Sequence, residues 1–116
     1  MSTVISSRVN RSYLFAPGHN VKLLSRVFTA GADAVILDLE DAVPEDAKDR
    51  AREMVAATVK ERAALVRVNP PRTAACAADL DAVAPHAAAI RIPKCESAED
   101  VLWVAARDTT TRCDRT

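Results

Sequence analysis

Three acids, Asp38, Glu40 and Asp41, interrupt the stretch ILDLEDAV, which otherwise reads as a buried strand. An unpaired carboxylate is costly to bury. Acids in such a run therefore point to a polar, cation-bearing neighbourhood. Similar residues recur at matching places along the chain. Arg67 and Asn69 close LVRVN, Lys94 and Glu96 follow AIRIP, and Pro17-Gly18-His19-Asn20 follow SYLFA. Two readings exist for Asp38, Glu40, Arg67 and Lys94. They form a ligand site, or a buried ion-pair network that caps one end of a sheet. Such networks often add little stability over apolar packing, and convergence on one rim favours the site. Lys22 and Arg26 lie four apart just after Asn20, on one helix face. They make a phosphate grip or a solvated surface pair. His86 reads as a loop or surface residue. His19 lies near the rim without a firm assignment as a base.

The elements that must position these residues follow from apolar periodicity. Short apolar runs at Ser12–Ala16, Asp33–Leu39, Ala64–Asn69 and Ala87–Pro93 read as strands. Each is followed by a helical pattern. The first is VKLLSRVFTA, with Asn20 as N-cap and Gly31 as its stop. The second is EDAKDRAREMVAATVKERA, with acids in its first turn as the helix dipole prefers. A third of about ten residues runs from roughly Ala75 to Val83, and SAEDVLWVAARD follows with Ser97 as N-cap. Four β-α units in succession imply a parallel sheet with right-handed crossovers. Every polar cluster named above then sits at the carboxyl end of a strand, where parallel α/β folds bind their ligands. Alternation puts Asp38 and Glu40 on one face, and Arg67 and Asn69 likewise.

Composition narrows the function classes. The 116 residues suit one domain or a piece of a larger one. Sixteen basic and sixteen acidic residues cancel, which removes the electrostatic case for nucleic acid or an anionic membrane surface as a partner. No apolar run reaches the roughly 20 residues of a membrane span, and the N-terminus lacks a signal-peptide core. Cys76, Cys95 and Cys113 form neither a CxxC nor a disulfide framework, and read as free thiols in a reducing cytoplasm. The expected location is cytoplasmic.

The segments RSYLFAPGHN, GADAVILDLEDAVPEDAK, VRVN and IPKCES, in this order and spacing, resemble the citrate lyase β-subunit family of CoA-ester lyases, within the HpcH/HpaI aldolase superfamily. The resemblance runs from about Arg11 to Asp108. It implies an α/β fold, the N-terminal half (four βα units) of a (β/α)8 TIM-type barrel. It also implies carbon–carbon lyase chemistry on a 3-hydroxyacyl-CoA such as citryl-CoA or malyl-CoA, yielding an acyl-CoA and a 2-oxo acid through a thioester enolate. Mg²⁺ is implied as the family's cofactor, and a homo-oligomer as its full-length form. By the resemblance, Arg67 binds the substrate carboxylate or oxo group. Phe15, Lys22 and Arg26 contact CoA. Asp38, Glu40 and Asp41 position Arg67 and metal-bound water, and Lys94 and Glu96 belong to the strand-four rim.

The family's metal-binding Glu and Asp belong to its fifth and sixth strands, so no residue of this chain is expected as a metal ligand. The expected organisation is a lead-in over 1–10, a partial barrel over 11–108 and a tail outside the family pattern over 109–116. A truncated or frame-shifted product with weak or no lyase activity alone is the corresponding expectation. Two alternatives stand beside it: a non-catalytic CoA-binding remnant, and a half-barrel that self-associates.

Overall fold

The computed structural model describes residues 12–94, 96–107 and 113–115, the last three as backbone. Residues 1–11, which include the lead-in, with Cys95, 108–112 and 116, lie outside the described residues, and most of the expected tail over 109–116 with them. Five strands, β1 (Tyr13–Pro17), β2 (Ala34–Asp38), β3 (Leu65–Arg67), β4 (Ala89–Ile92) and β5 (Cys113–Arg115), form one parallel sheet in sequence order. Between them run α1 (Val21–Val27), α2 (Lys48–Val59), α3 (Ala74–Val83) and α4 (Ala98–Arg107). Four of the strands and all four helices fall where the apolar periods put them. The fifth strand was not expected from the sequence. Cys113–Arg115 carries no apolar run, and backbone pairing to β4 alone defines it.

Sequential strand order with all helices on one side is the arrangement of a barrel segment, not of a doubly wound sheet. The register shows the two faces. Ala16, Leu37, Val66 and Ile90 form one row. They join Leu24, Val55, Leu80 and Val104, one from each helix, in the main core. The opposite face carries Ile36, Leu65 and Ala34, with Ala89 against them, as a small apolar layer built from strands alone. Above it the register aligns Pro17, Asp38, Arg67 and Arg91 in one row. Arg67 lies over the Phe15 ring at 5.0 Å and Arg91 over the Tyr13 ring at 4.9 Å. These cation–π pairs put apolar side-chain stems on a face that no helix covers.

Local chemistry sets the element ends. Asn20 accepts from the Leu23 N–H at 3.0 Å and caps α1. The helix ends at Val27, earlier than its apolar pattern, and the Thr29 hydroxyl donates to the Arg26 carbonyl at 2.9 Å. Gly31 then turns with φ of 86°. A short 3₁₀ turn at Glu45–Ala47 leads into α2, which stops at Val59. There the N–H groups of Glu61 and Arg62 both donate to the Thr58 carbonyl.

Cys76 is a fully buried free thiol on α3. Burial, with the nearby Asp79 charge, pushes its pKa up to about 12. Alkylation of native protein at pH 8 is therefore expected to leave Cys76 unlabelled, and urea should expose it. Peptide mapping by mass reads the result. Labelling of Cys76 in the native state would mean that α3 opens readily.

Candidate functional site

The site forms where β2, β3 and β4 end. Asp38 is the last residue of β2, with its side chain 1 % exposed. One oxygen accepts from Arg67 Nε at 2.9 Å and from the Glu40 N–H at 2.9 Å. The other accepts from Arg67 Nη2 at 2.7 Å and from the Ala42 N–H at 2.9 Å. Burial alone would raise this carboxyl's pKa. Hydrogen bonds from Arg67 and from two backbone amides, with the Arg67 charge, outweigh burial and hold it below the usual carboxylate range. The hydrogen bond to Asp38 in turn raises the Arg67 pKa against partial burial. Asp38 thus does two jobs: it folds the turn after β2 and locks the guanidinium.

Glu40 is also buried, and its partners come from two other strand ends. Lys94 Nζ donates to its Oε2 at 2.6 Å, and Arg67 Nε lies 3.6 Å from its Oε1. Lys94 sits just after β4 with φ of 51°, an unusual backbone state for a lysine. Its hydrogen bond to Glu40, followed by the Glu40 charge, raises its pKa. Asp41 is exposed and approaches Lys94 at 3.6 Å. Lys48 ties the loop from below, donating to the Leu39 and Glu40 carbonyls at 3.1 and 3.0 Å.

Asp38, Glu40, Asp41, Arg67 and Lys94 are thus brought together, and Phe15 joins through its ring against Arg67. Glu96 is exposed, and its N–H donates to Asp100 at 3.0 Å. Lys22 and Arg26 are exposed on α1 and form no ion pair with any described residue. Arg26 shares a cavity of about 190 Å³ with Leu14, Phe15, Leu23 and Val27. His19 lies in the β1–α1 loop, with Nδ1 sealed from solvent and unpartnered among the described residues. His86 is exposed, in the turn after α3.

Two contributors escaped the sequence reading. Asp79, on α3 and 1 % exposed, accepts from the Asn69 N–H at 2.9 Å, from Asn69 Nδ2 at 2.7 Å and from Arg52 Nε at 2.8 Å. Arg52 also bonds Asp49. Their signal was faint but present. Asp79 falls on the stripe of Cys76, Leu80 and Val83, where an acid is out of place.

Residues 11–112 match the family model described as HpcH/HpaI aldolase/citrate lyase. The chain belongs to the HpcH/HpaI family. Among curated relatives, citrate lyase subunit beta of Haemophilus influenzae is 42 % identical, the match covering 82 % of this chain and 35 % of the relative. A (3S)-malyl-CoA thioesterase of Cereibacter sphaeroides is also 42 % identical, over 83 % of this chain and 36 % of its own. This HpcH/HpaI chain therefore spans about a third of the length of the curated relatives it matches. Among solved structures, the Mycobacterium tuberculosis citrate lyase beta subunit complexed with oxaloacetate and magnesium superposes with a TM-score of 0.72 at 35 % identity. It covers 89 % of this chain and 45 % of that one. CitE of the same organism, in complex with magnesium, acetoacetate and coenzyme A, superposes with a TM-score of 0.68 at 35 % identity, over 89 % and 38 %. The α/β half-barrel of the HpcH/HpaI chain is thus the N-terminal part of the family's fold.

Proposed function

We propose that this chain supplies the carboxylate-binding side of a site that cleaves or forms a carbon–carbon bond in 3-hydroxyacyl-CoA esters. One observation carries the reading. Asp38 occupies the Nε–Nη2 edge of Arg67, and Nη1 makes no hydrogen bond with any described residue. The outer edge of a fixed guanidinium is thereby left for a second carboxylate, held by two parallel hydrogen bonds. Its place at the carboxyl end of a parallel sheet suits a ligand site.

In this reading the substrate carboxylate sits on Arg67. The hydroxyl proton leaves to a base, the carbon–carbon bond breaks, and its electron pair passes to the carbon beside the thioester as an enolate. A 2-oxo acid and, after protonation, an acyl-CoA result. Asp38 positions Arg67, and Glu40, Asp41 and Lys94 set the charge of the rim. CoA lies along α1, where Phe15 and Arg26 share a groove and Lys22 stands exposed beside them. Exposed cations without acidic partners among the described residues support phosphate contacts there.

Mg²⁺ is a poor fit to the described residues. Asp38 spends both oxygens on Arg67 and the turn, Glu40 is engaged by Lys94, and no group of three or more metal-ligating side chains occurs among the described residues.

Calorimetric or NMR titration of the 116-residue chain with pyruvate and oxaloacetate tests the reading. Wild-type protein is expected to bind both, with an Arg67→Lys variant at least about tenfold weaker, because the two-pronged contact is lost. Binding unchanged in Arg67→Lys would remove Arg67 from the site.

A further inference from the structure

Lys48 is the first residue of α2, where the helix dipole disfavours a cation. Glu45, Asp46 and Asp49 stand close by in sequence, yet Lys48 forms no ion pair with any described residue. Its ammonium goes instead to two backbone carbonyls, Leu39 at 3.1 Å and Glu40 at 3.0 Å. A lysine needed only for solvation gains nothing from this place. Its role follows from the peptide units that it holds.

In a trans peptide unit the C=O and N–H point in opposite directions. In the Leu39–Glu40 unit Lys48 holds the oxygen, and the N–H donates to Asp38 Oδ1 at 2.9 Å. The same Oδ1 accepts from Arg67 Nε at 2.9 Å. A cation on a carbonyl polarises the peptide and strengthens its N–H as a donor. Linked hydrogen bonds therefore run from Lys48 through this peptide and Asp38 to Arg67 Nε. The Leu39 N–H closes the circuit, donating to the Arg67 carbonyl at 2.9 Å. The Glu40 carbonyl also accepts from the Val43 N–H at 3.1 Å. That fixes where Glu40 leaves the backbone, and its carboxylate meets Lys94 Nζ at 2.6 Å.

We propose that Lys48 is a positioning residue for the anion site at Arg67. It fixes the turn after β2 and, through Asp38, the guanidinium that meets the substrate carboxylate. This rests on the function proposed above and gives α2 a part in a site formed at the strand ends. Lys48 acts through Asp38 and not on the ligand. With the ammonium gone, the Leu39–Glu40 peptide is free to rotate. The Glu40 N–H then leaves Asp38, and the Asp38–Arg67 pair loosens.

NMR of the full 116-residue chain, with and without pyruvate, tests the assignment. The Arg67 Nε–H resonance reports the bond to Asp38. Arg52 lies one turn along α2 from Lys48, and its Nε–H, bonded to Asp79 at 2.8 Å, is the internal control. Lys48→Met keeps the apolar stem and removes the donor. It is expected to move the Arg67 signal, leave the Arg52 signal in place and weaken pyruvate binding roughly fivefold. Lys48→Arg still carries donors for both carbonyls and should restore the wild-type signal and most of the affinity. The signals come from folded molecules, so a partly folded sample still decides. Movement of both arginine signals, or no folded fraction in Lys48→Met, would mean that Lys48 serves the fold and not the site, and overturns the proposal. An unmoved Arg67 signal or unchanged pyruvate binding overturns it too, and leaves the Arg67 reading intact. Wild-type protein that binds no pyruvate overturns that reading, and this proposal with it.

Discussion

Replacing Arg67 by methionine is expected to cost about 3 kcal/mol of stability at pH 7. That is the lower end for breaking a buried ion pair, since Arg67 keeps part of its surface in water. The cost comes mainly from what is left behind. Asp38, 1 % exposed, would keep two backbone hydrogen bonds but lose its counter-ion. The sign of the pH dependence follows. In the wild type the folded carboxyl is depressed below its unfolded value near 4, so the unfolded state binds more protons in acid. That stability is fully present above about pH 4 and is lost as pH falls through the folded value. In the variant only the two backbone amides still oppose burial, so the folded value rises and this gain shrinks.

The gap between the two proteins should therefore be wide at pH 7 and narrow toward pH 3. Urea unfolding at pH 7, 5, 4 and 3.5 measures it. A gap independent of pH would mean that Arg67 contributes by packing against Phe15 and not by its charge. Adding Asp38→Leu to Arg67→Met should restore only part of the loss. The remainder measures the turn that Asp38 closes through the Glu40 and Ala42 amides.

The polar rim was legible because its residues break rules that the sequence otherwise keeps. Asp38 and Glu40 interrupt an apolar strand, and Arg67 and Lys94 recur at the same point of later units. Which acid pairs with which cation was not legible. Asp38 takes Arg67, whereas Glu40 reaches 54 residues along the chain to Lys94. Those choices depend on strand register and on how far each side chain extends, and neither is a local property. Asp79 was passed over because a helical acid usually faces water. Its partners Asn69 and Arg52 come from different elements, so no spacing announces them. The helix ends moved for local reasons. After α1 the Thr29 hydroxyl donates to the Arg26 carbonyl, and after α2 the Glu61 and Arg62 amides share the Thr58 carbonyl, so the ladder tapers at both ends. The tail was read as fitting no element, yet Cys113–Arg115 pairs with β4. A parallel ladder needs only backbone groups, and three residues carry too short a pattern to read.

A single methyl group at position 18 should be about as damaging as the loss of Arg67. A Cβ added to Gly18 would stand 2.7 Å from Val55 Cγ2, 2.9 Å from the Asp38 carbonyl oxygen and 3.2 Å from Leu39 Cδ2. The first neighbour is a stiff β-branched side chain in the core of α2, and the second is backbone. That same carbonyl accepts the Gly18 N–H at 2.8 Å, so relief by moving away breaks the bond that ties the β1–α1 loop to β2. Overpacking of this kind costs about 1–3 kcal/mol, and the lost hydrogen bond adds about 1 kcal/mol. Gly31 gives the contrast. Nothing lies within 4 Å of its added Cβ, and only its φ of 86° opposes a side chain. Gly31→Ala should then cost only about 1 kcal/mol. Urea midpoints are expected to fall in the order wild type, Gly31→Ala, Gly18→Ala. Val55→Ala in the Gly18→Ala background removes one of the two tight contacts, so it should cost less there than in the wild type. If Val55→Ala costs the same in both backgrounds, the Asp38 carbonyl alone sets the penalty. Gly18 is then required for the approach of backbone to backbone rather than for packing against α2.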